Sequence, residues 1–175
     1  GRNSQGVVLE ITSDKLSEGL DLFTEVILEP AFDAEEFERE QRETLAAIER
    51  REDRLAQRAF LLFAQAHYKH HPYRLSMIGS HESVTRFDLD AVRAHHTRVV
   101  QGENLVIGLS GDVDPEAVAE ALSVRLEALP HGNFVQPTPP TEEPPDDIRE
   151  VSLHKDRAQT HIVLGFRGLT VHDPD

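Results

Sequence analysis

Phe32-Asp33-Ala34-Glu35-Glu36-Phe37-Glu38-Arg39-Glu40-Gln41-Arg42-Glu43-Thr44-Leu45-Ala46-Ala47-Ile48, running on to Phe63, is the stretch on which the fold turns. It starts as a long amphipathic helix starts. Asp33 fits the N-cap, and Glu36 stands at the third helical position as in a capping box. Phe32 and Phe37 hold the two places of a hydrophobic staple. Glu35–Arg39 and Glu38–Arg42 are i,i+4 pairs in the favourable order, each worth about 0.3 kcal/mol. Phe37, Leu45, Ile48, Leu55 and Ala59 make the apolar stripe. The dense charge between Glu49 and Arg54 marks a bend or a break, and Ala59 to His67 continues as an apolar-rich helix.

Working outward, Val7-Val8-Leu9-Glu10-Ile11 reads as a strand from its β-branched run. Ser13 fits a helix N-cap, Leu16, Leu20, Phe23 and Ile27 recur at helical spacing, and Pro30 ends that segment. On the other side, His70-His71-Pro72-Tyr73 stops the helix, because a residue before proline is pushed out of the α region. Asp88 caps a helix reaching Val100. Asn104 to Leu109 reads as a buried strand. Asp114 then caps a helix with Pro115 at its first position and Val118, Leu122, Arg125 and Leu129 on its inner side. Residues 130–147 hold six of the ten prolines and read as an extended, semi-rigid linker. Ile148–Leu153 and His161–Phe166 are strand candidates.

The chain has 175 residues, enough for one domain with a core, and its 38% hydrophobic and 29% charged content is that of a soluble globular protein. A net charge of −14 repels phosphate, which argues against nucleic acid and anionic membrane as partners. No cysteine is present, so disulfides and thiolate metal sites are excluded while the compartment stays open between bacterial periplasm and cytoplasm. No apolar run approaches the roughly 18 residues of a membrane span. The chain opens on Gly1 rather than Met and stops just after a strand-like run, so both ends read as cuts inside a larger protein.

Three groups of residues invite a chemical reading, and each has a plainer one. His67, His70 and His71 stand at i, i+3 and i+4, a spacing zinc can use. No acidic general base falls among them, and histidines at a helix end are also favoured by the macrodipole. His95 and His96 are adjacent and so point in different directions. The carboxylates of 35–52 resemble acid–base pairs, but nearly all fall on one charged face beside arginines, as a solvated face does. Gly108-Leu109-Ser110-Gly111-Asp112 follows a strand candidate and precedes a helix, yet it lacks the Gly-rich fingerprint and the P-loop lysine, and Asp112 and Asp114 would repel a phosphate.

The order of features is more specific than any one of them. Pro30-x-Phe32 precedes the Glu-Arg-Glu-rich helix; then come Arg58-Ala59-Phe60, His71-Pro72-Tyr73, Gly79 with Glu82-Ser83-Val84, Asn104-Leu105-Val106-Ile107-x-Leu109-x-Gly111-Asp112-Val113, and Leu129-Pro130. This set, covering about residues 1–167, resembles the insulinase-like (M16, pitrilysin-type) zinc metallopeptidases. The resemblance implies an α+β fold, a two-layer domain with an antiparallel-rich sheet and helices packed on one face. It implies most of one such domain at 1–130, a Pro-rich acidic linker at 131–147, and the first strands of the following domain or half at 148–175. It also implies paired domains that enclose peptides, with zinc held by His-x-x-Glu-His and by a Glu on a later helix.

This chain has no His-x-x-Glu-His. Aligning Phe37-Glu38-Arg39-Glu40, Leu45 and Ile48 with the later helix puts Ala46-Ala47 where the family carries Glu-Glu, so Ala47 occupies the metal-ligand position. Glu40 matches a supporting acidic position, and Glu43 and Glu49 fall out of register with the ligand. No catalytic or metal-binding residue is therefore expected, and zinc belongs to the catalytic domain of the parent protein. Arg2, Asn3 and Ser4 match the strand beside the family's cleft and are the substrate-binding candidates. The leading expectation is the non-catalytic homologous domain, a C-terminal half or inactive subunit, positioning peptide substrates for a zinc-bearing M16 domain in cis or trans; a homodimer is compatible with it. A second expectation is a structural homologue with no peptidase activity in the whole protein. A third is an unrelated acidic module whose His67, His70 and His71 take a metal.

Overall fold

The computed structural model describes residues 4–132, 134, 135, 137–166 and 168. Six α-helices are found among them: α1 Leu16–Leu28, α2 Ala34–Asp53, α3 Leu55–His67, α4 His81–Arg86, α5 Leu89–Val99 and α6 Pro115–Arg125. Short 3-10 turns lie at Ser13–Lys15, Pro72–Arg74 and Gly102–Asn104. The chain divides into two compact units, one formed by residues 1–38 and 87–136, the other by 39–86 and 137–175.

The helix starts follow local chemistry. The Asp33 carboxylate accepts the backbone N–H groups of Glu35 and Glu36 at 2.9 and 3.0 Å. Asp88 caps α5 through the Ala91 N–H at 2.8 Å, and Asp114 caps α6 through the Ala117 N–H at 3.1 Å. Each satisfies a donor that has no partner inside the helix. The charged run after Glu49 ends α2, because Arg54, at φ −88° and ψ 89°, breaks the helix before Leu55 restarts it. α1 begins later than the capping residue Ser13 suggests, since Ser13 sits inside a 3-10 turn that closes with Lys15 N–H on Thr12 O at 3.0 Å.

In the first unit the core is built from Leu20, Ile27 and Val118, with Thr24 buried among them. The Thr24 hydroxyl donates to the Leu20 carbonyl at 2.8 Å, so its burial leaves no polar group unpaired. Gly19 lies where the N-terminal segment passes α1; a Cβ there would overlap the tip of the Ile11 side chain and come within 3.3 Å of Leu9, so those side chains would have to shift. Phe32 takes a left-handed backbone, φ 45°, which costs a non-glycine residue about 1–2 kcal/mol. Two contacts hold it. Its ring packs edge-on against His96 at 5.3 Å, and its carbonyl accepts from Arg93 at 3.4 Å.

In the second unit the buried apolar residues are Ile48 of α2 and Val84 of α4. Gln41 of α2 donates to the Val84 carbonyl at 3.0 Å, and the Arg51 guanidinium is hydrogen-bonded to the Ser76 hydroxyl. Gly79, at φ 75°, makes the turn before α4; a Cβ there would lie 2.8 Å from Ser83 Oγ. The 161–166 segment passes over α3 at Gly165, where a Cβ would overlap the Phe63 ring.

The expected α+β architecture is overturned. Among the described residues there is no strand and hence no antiparallel sheet; the regular structure is helical. Of the four strand candidates, Val7–Ile11, Ile148–Leu153 and His161–Phe166 run as irregular chain, and Asn104–Leu109 starts on the last residue of the Gly102–Asn104 3-10 turn and is irregular from Leu105 on. A strand exists through its ladder of cross-strand hydrogen bonds, not through β-branched composition. No such ladder joins these segments among the described residues. Several of their apolar side chains stand in solvent instead, with Val8 94%, Val106 93% and Phe166 92% exposed, while Leu9, Leu105, Ile107 and Val163 are partly buried. β-Propensity without a partner fixes neither pairing nor burial.

Candidate functional site

α2 carries the position on which catalysis was expected to turn. Ala47 lies in its second half, partly covered, one residue before the buried Ile48. Its methyl group has no lone pair to give a metal. Glu40, Glu43 and Glu49 are exposed along the same helix. Among the described residues no three His, Cys, Asp or Glu side chains converge as a metal site would require. Arg2 and Asn3 lie outside the described residues; Ser4 is exposed ahead of α1.

The histidines are held in structural contacts. His67 stacks on Phe63 with ring centroids 5.4 Å apart and meets the Tyr68 ring edge-on at 4.7 Å. His71 Nδ1 accepts the Tyr73 backbone N–H at 3.1 Å and so caps the 3-10 turn at Pro72–Arg74. That contact leaves Nδ1 without the lone pair a metal would need. His95 Nδ1 is paired with the Arg98 guanidinium at 2.9 Å, and His96 Nε2 donates to the Ile27 carbonyl at 2.9 Å. Among the described residues, His67, His70 and His71 do not form a group that could hold a metal ion.

A concentrated polar arrangement among the described residues of the second unit was not foreseen from the sequence. Glu142, within the proline-rich segment, lays its carboxylate on three successive backbone donors. Lys69 N–H donates to one oxygen at 3.1 Å, and the His70 and His71 N–H groups donate to the other. The His71 N–H bond is the largest cause that holds the Glu142 carboxyl at about 2, well below 4.5; partial burial opposes it, and the N–H groups of His70 and Lys69 and the His70 charge add to it. Arg149 donates to the carbonyls of His67 at 2.7 Å and Ala66 at 3.3 Å, and Lys155 donates to the Glu52 carbonyl at 2.6 Å. The only sequence signal was a set of charges in and after a proline-rich run, which does not say what they touch.

In the first unit, Leu16, Ser17, Leu20, Asp114, Ala117, Val118, Ala121 and Arg125 line a cavity of about 180 Å³ between α1 and α6. Ligand pockets usually run from about 300 Å³ upward, so this space reads as loose helix packing.

Comparison with known proteins gives this arrangement a context. Residues 2–81 match the family model described as insulinase (peptidase family M16). Residues 86–175 match the model described as peptidase M16 inactive domain. Among curated proteins, a non-peptidase homolog, YmxG, from Helicobacter pylori is 25% identical over 91% of this chain and 36% of its own length. The zinc protease PqqE of the same organism is 27% identical over 62% of this chain and 25% of its own length. An uncharacterized zinc protease, YmxG, from Bacillus subtilis is 21% identical over 93% of this chain and 39% of its own length. The chain thus spans well under half the length of these relatives. A solved peptidase M16 inactive domain from Pseudomonas fluorescens superposes with a TM-score of 0.65 at 28% identity, covering 77% of this chain and 32% of that one. A protease from Helicobacter pylori, at 24% identity and a TM-score of 0.65, covers 77% of this chain and 33% of its own and shares the fold.

Proposed function

Because the chain belongs to the peptidase M16 family, we propose that it is a non-catalytic M16-type segment that helps enclose and position peptides for a zinc-bearing partner domain. Ala47 carries the reading. It stands on α2 where the resemblance calls for a metal-binding glutamate, and the glutamates around it face solvent. The match of residues 86–175 to an inactive domain supports the same assignment. Zinc and the activated water would then belong to a homologous catalytic domain, in cis or in trans. Substrate contact at Arg2, Asn3 and Ser4 is part of this proposal, as is the assignment of residues 148–175 to the start of a following domain.

Metal analysis of the intact parent protein, together with peptide hydrolysis before and after alanine replacement of Arg2, Asn3 and Ser4, tests it. The expected result is one zinc held outside this segment and a raised KM in the triple variant with the zinc content unchanged. Zinc bound within residues 1–175 would overturn the reading. A second reading is favoured by the name of one relative, a non-peptidase homolog: a structural M16 protein with no peptidase activity at all. The same assay separates the two, since a protein without zinc or hydrolysis in any of its domains fits only the second.

A further inference from the structure

We propose that residues 137–155 form a charge-fastened strap across the C-terminal ends of α2 and α3, released at Glu142, rather than a free linker. Three contacts of matching sign carry the inference. The Glu142 carboxylate sits on the positive N–H groups of Lys69, His70 and His71, just past the end of α3. The Arg149 guanidinium sits on the Ala66 and His67 carbonyls at that same helix end. The Lys155 ammonium sits on the Glu52 carbonyl in the last turn of α2. Helix C-termini present unpaired carbonyls and the negative end of the dipole, so cations belong there, whereas a run of successive N–H groups seats an anion.

The arrangement is specific within its own segment. Glu143, the next carboxylate, makes none of these contacts. The strap lies in the portion matched by the inactive-domain model, and its three seats lie in the portion matched by the insulinase model. It therefore fastens one family segment onto the other inside a single compact unit. Proline keeps the strap extended, so the order lost on release is small and the fastening is reversible. The inference does not depend on where zinc is bound.

Amide hydrogen exchange and limited proteolysis on the intact protein test it, comparing wild type with Glu142→Gln, Lys155→Gln and the control Glu143→Gln. Glu142→Gln should speed exchange at Lys69, His70 and His71 by about tenfold and raise cleavage within 137–147, with the middle of α2 and α3 still protected. Lys155→Gln should loosen 148–155 alone, and Glu143→Gln should change nothing. Equal exchange in wild type and Glu142→Gln would overturn the proposal. So would loss of protection throughout α2 and α3, which would make Glu142 a part of the fold's core rather than a fastening.

Discussion

Arg125 of α6 reaches back to Asp21 of α1, its Nε donating to Asp21 Oδ1 at 2.7 Å. The same guanidinium donates to the Ser17 hydroxyl at 3.1 Å and to the Ala121 carbonyl at 3.2 Å. Arg125 thus joins two helices separated by most of the first unit's sequence. Because the Asp21 side chain is 64% exposed, solvent screens the pair. A double-mutant cycle with Asp21→Asn and Arg125→Gln should give a coupling of about 0.5–1 kcal/mol in urea unfolding. A coupling indistinguishable from zero would make the contact incidental.

Ile48 should be the costly position of α2. Ile48→Ala is expected to lower stability by about 2–3 kcal/mol, because burial is lost and a cavity remains. Glu49→Ala, on the exposed side of the next residue, should stay within about 0.5 kcal/mol. Thermal unfolding of the two variants side by side measures the contrast.

Loss of a helix cap should be graded by chemistry rather than charge alone. Asp88→Ala and Asp114→Ala each remove an acceptor from an otherwise unpaired N–H and should cost about 1 kcal/mol. Asn at either position keeps the acceptor and should restore most of it. Equal losses for Ala and Asn in denaturant melts would assign the effect to charge instead.

Acid should unfasten Glu142. Its carboxyl is held at about 2 against an unperturbed 4.5. A depressed pKa means the unfolded or released chain takes up the proton first, so this contribution is complete above about 4.5 and is lost as pH falls through about 2. Exchange of the Lys69–His71 amides, corrected for the intrinsic pH dependence, should rise over that window in wild type. In Glu142→Gln the corrected rate should already be high and should not vary with pH there.

An acidic side chain at position 47 should not by itself create a metal site. Ala47→Glu supplies one carboxylate, but no three ligating side chains converge among the described residues. Equilibrium dialysis followed by metal analysis should find the same zinc content in this chain with and without the substitution. Stoichiometric zinc in Ala47→Glu would show that partner ligands lie close to position 47.

The helices were legible because their signals are local. An aspartate cap, a proline at a first turn and a 3.6-residue apolar stripe act within a few residues, so Asp33, Asp88 and Asp114 announce helices that the structure contains. The charged run before Arg54 likewise announced its break. The strands failed for the opposite reason. Val8, Val106 and Phe166 have the composition of strands, but pairing is a property of two segments, and neither partner nor register is written in one of them.

The amino-acid sequence by itself determined where the chain turns helical, the acidic balance of its composition, and that position 47 is an alanine, which has no metal-ligating atom. These are matters of side-chain identity and near-neighbour spacing. Only the tertiary structure decided that Arg125 binds Asp21 and that Glu142 fastens onto the N–H groups of residues 69–71. Such contacts join groups some 70 to 100 residues apart. Their free energy depends on distances that no local propensity encodes.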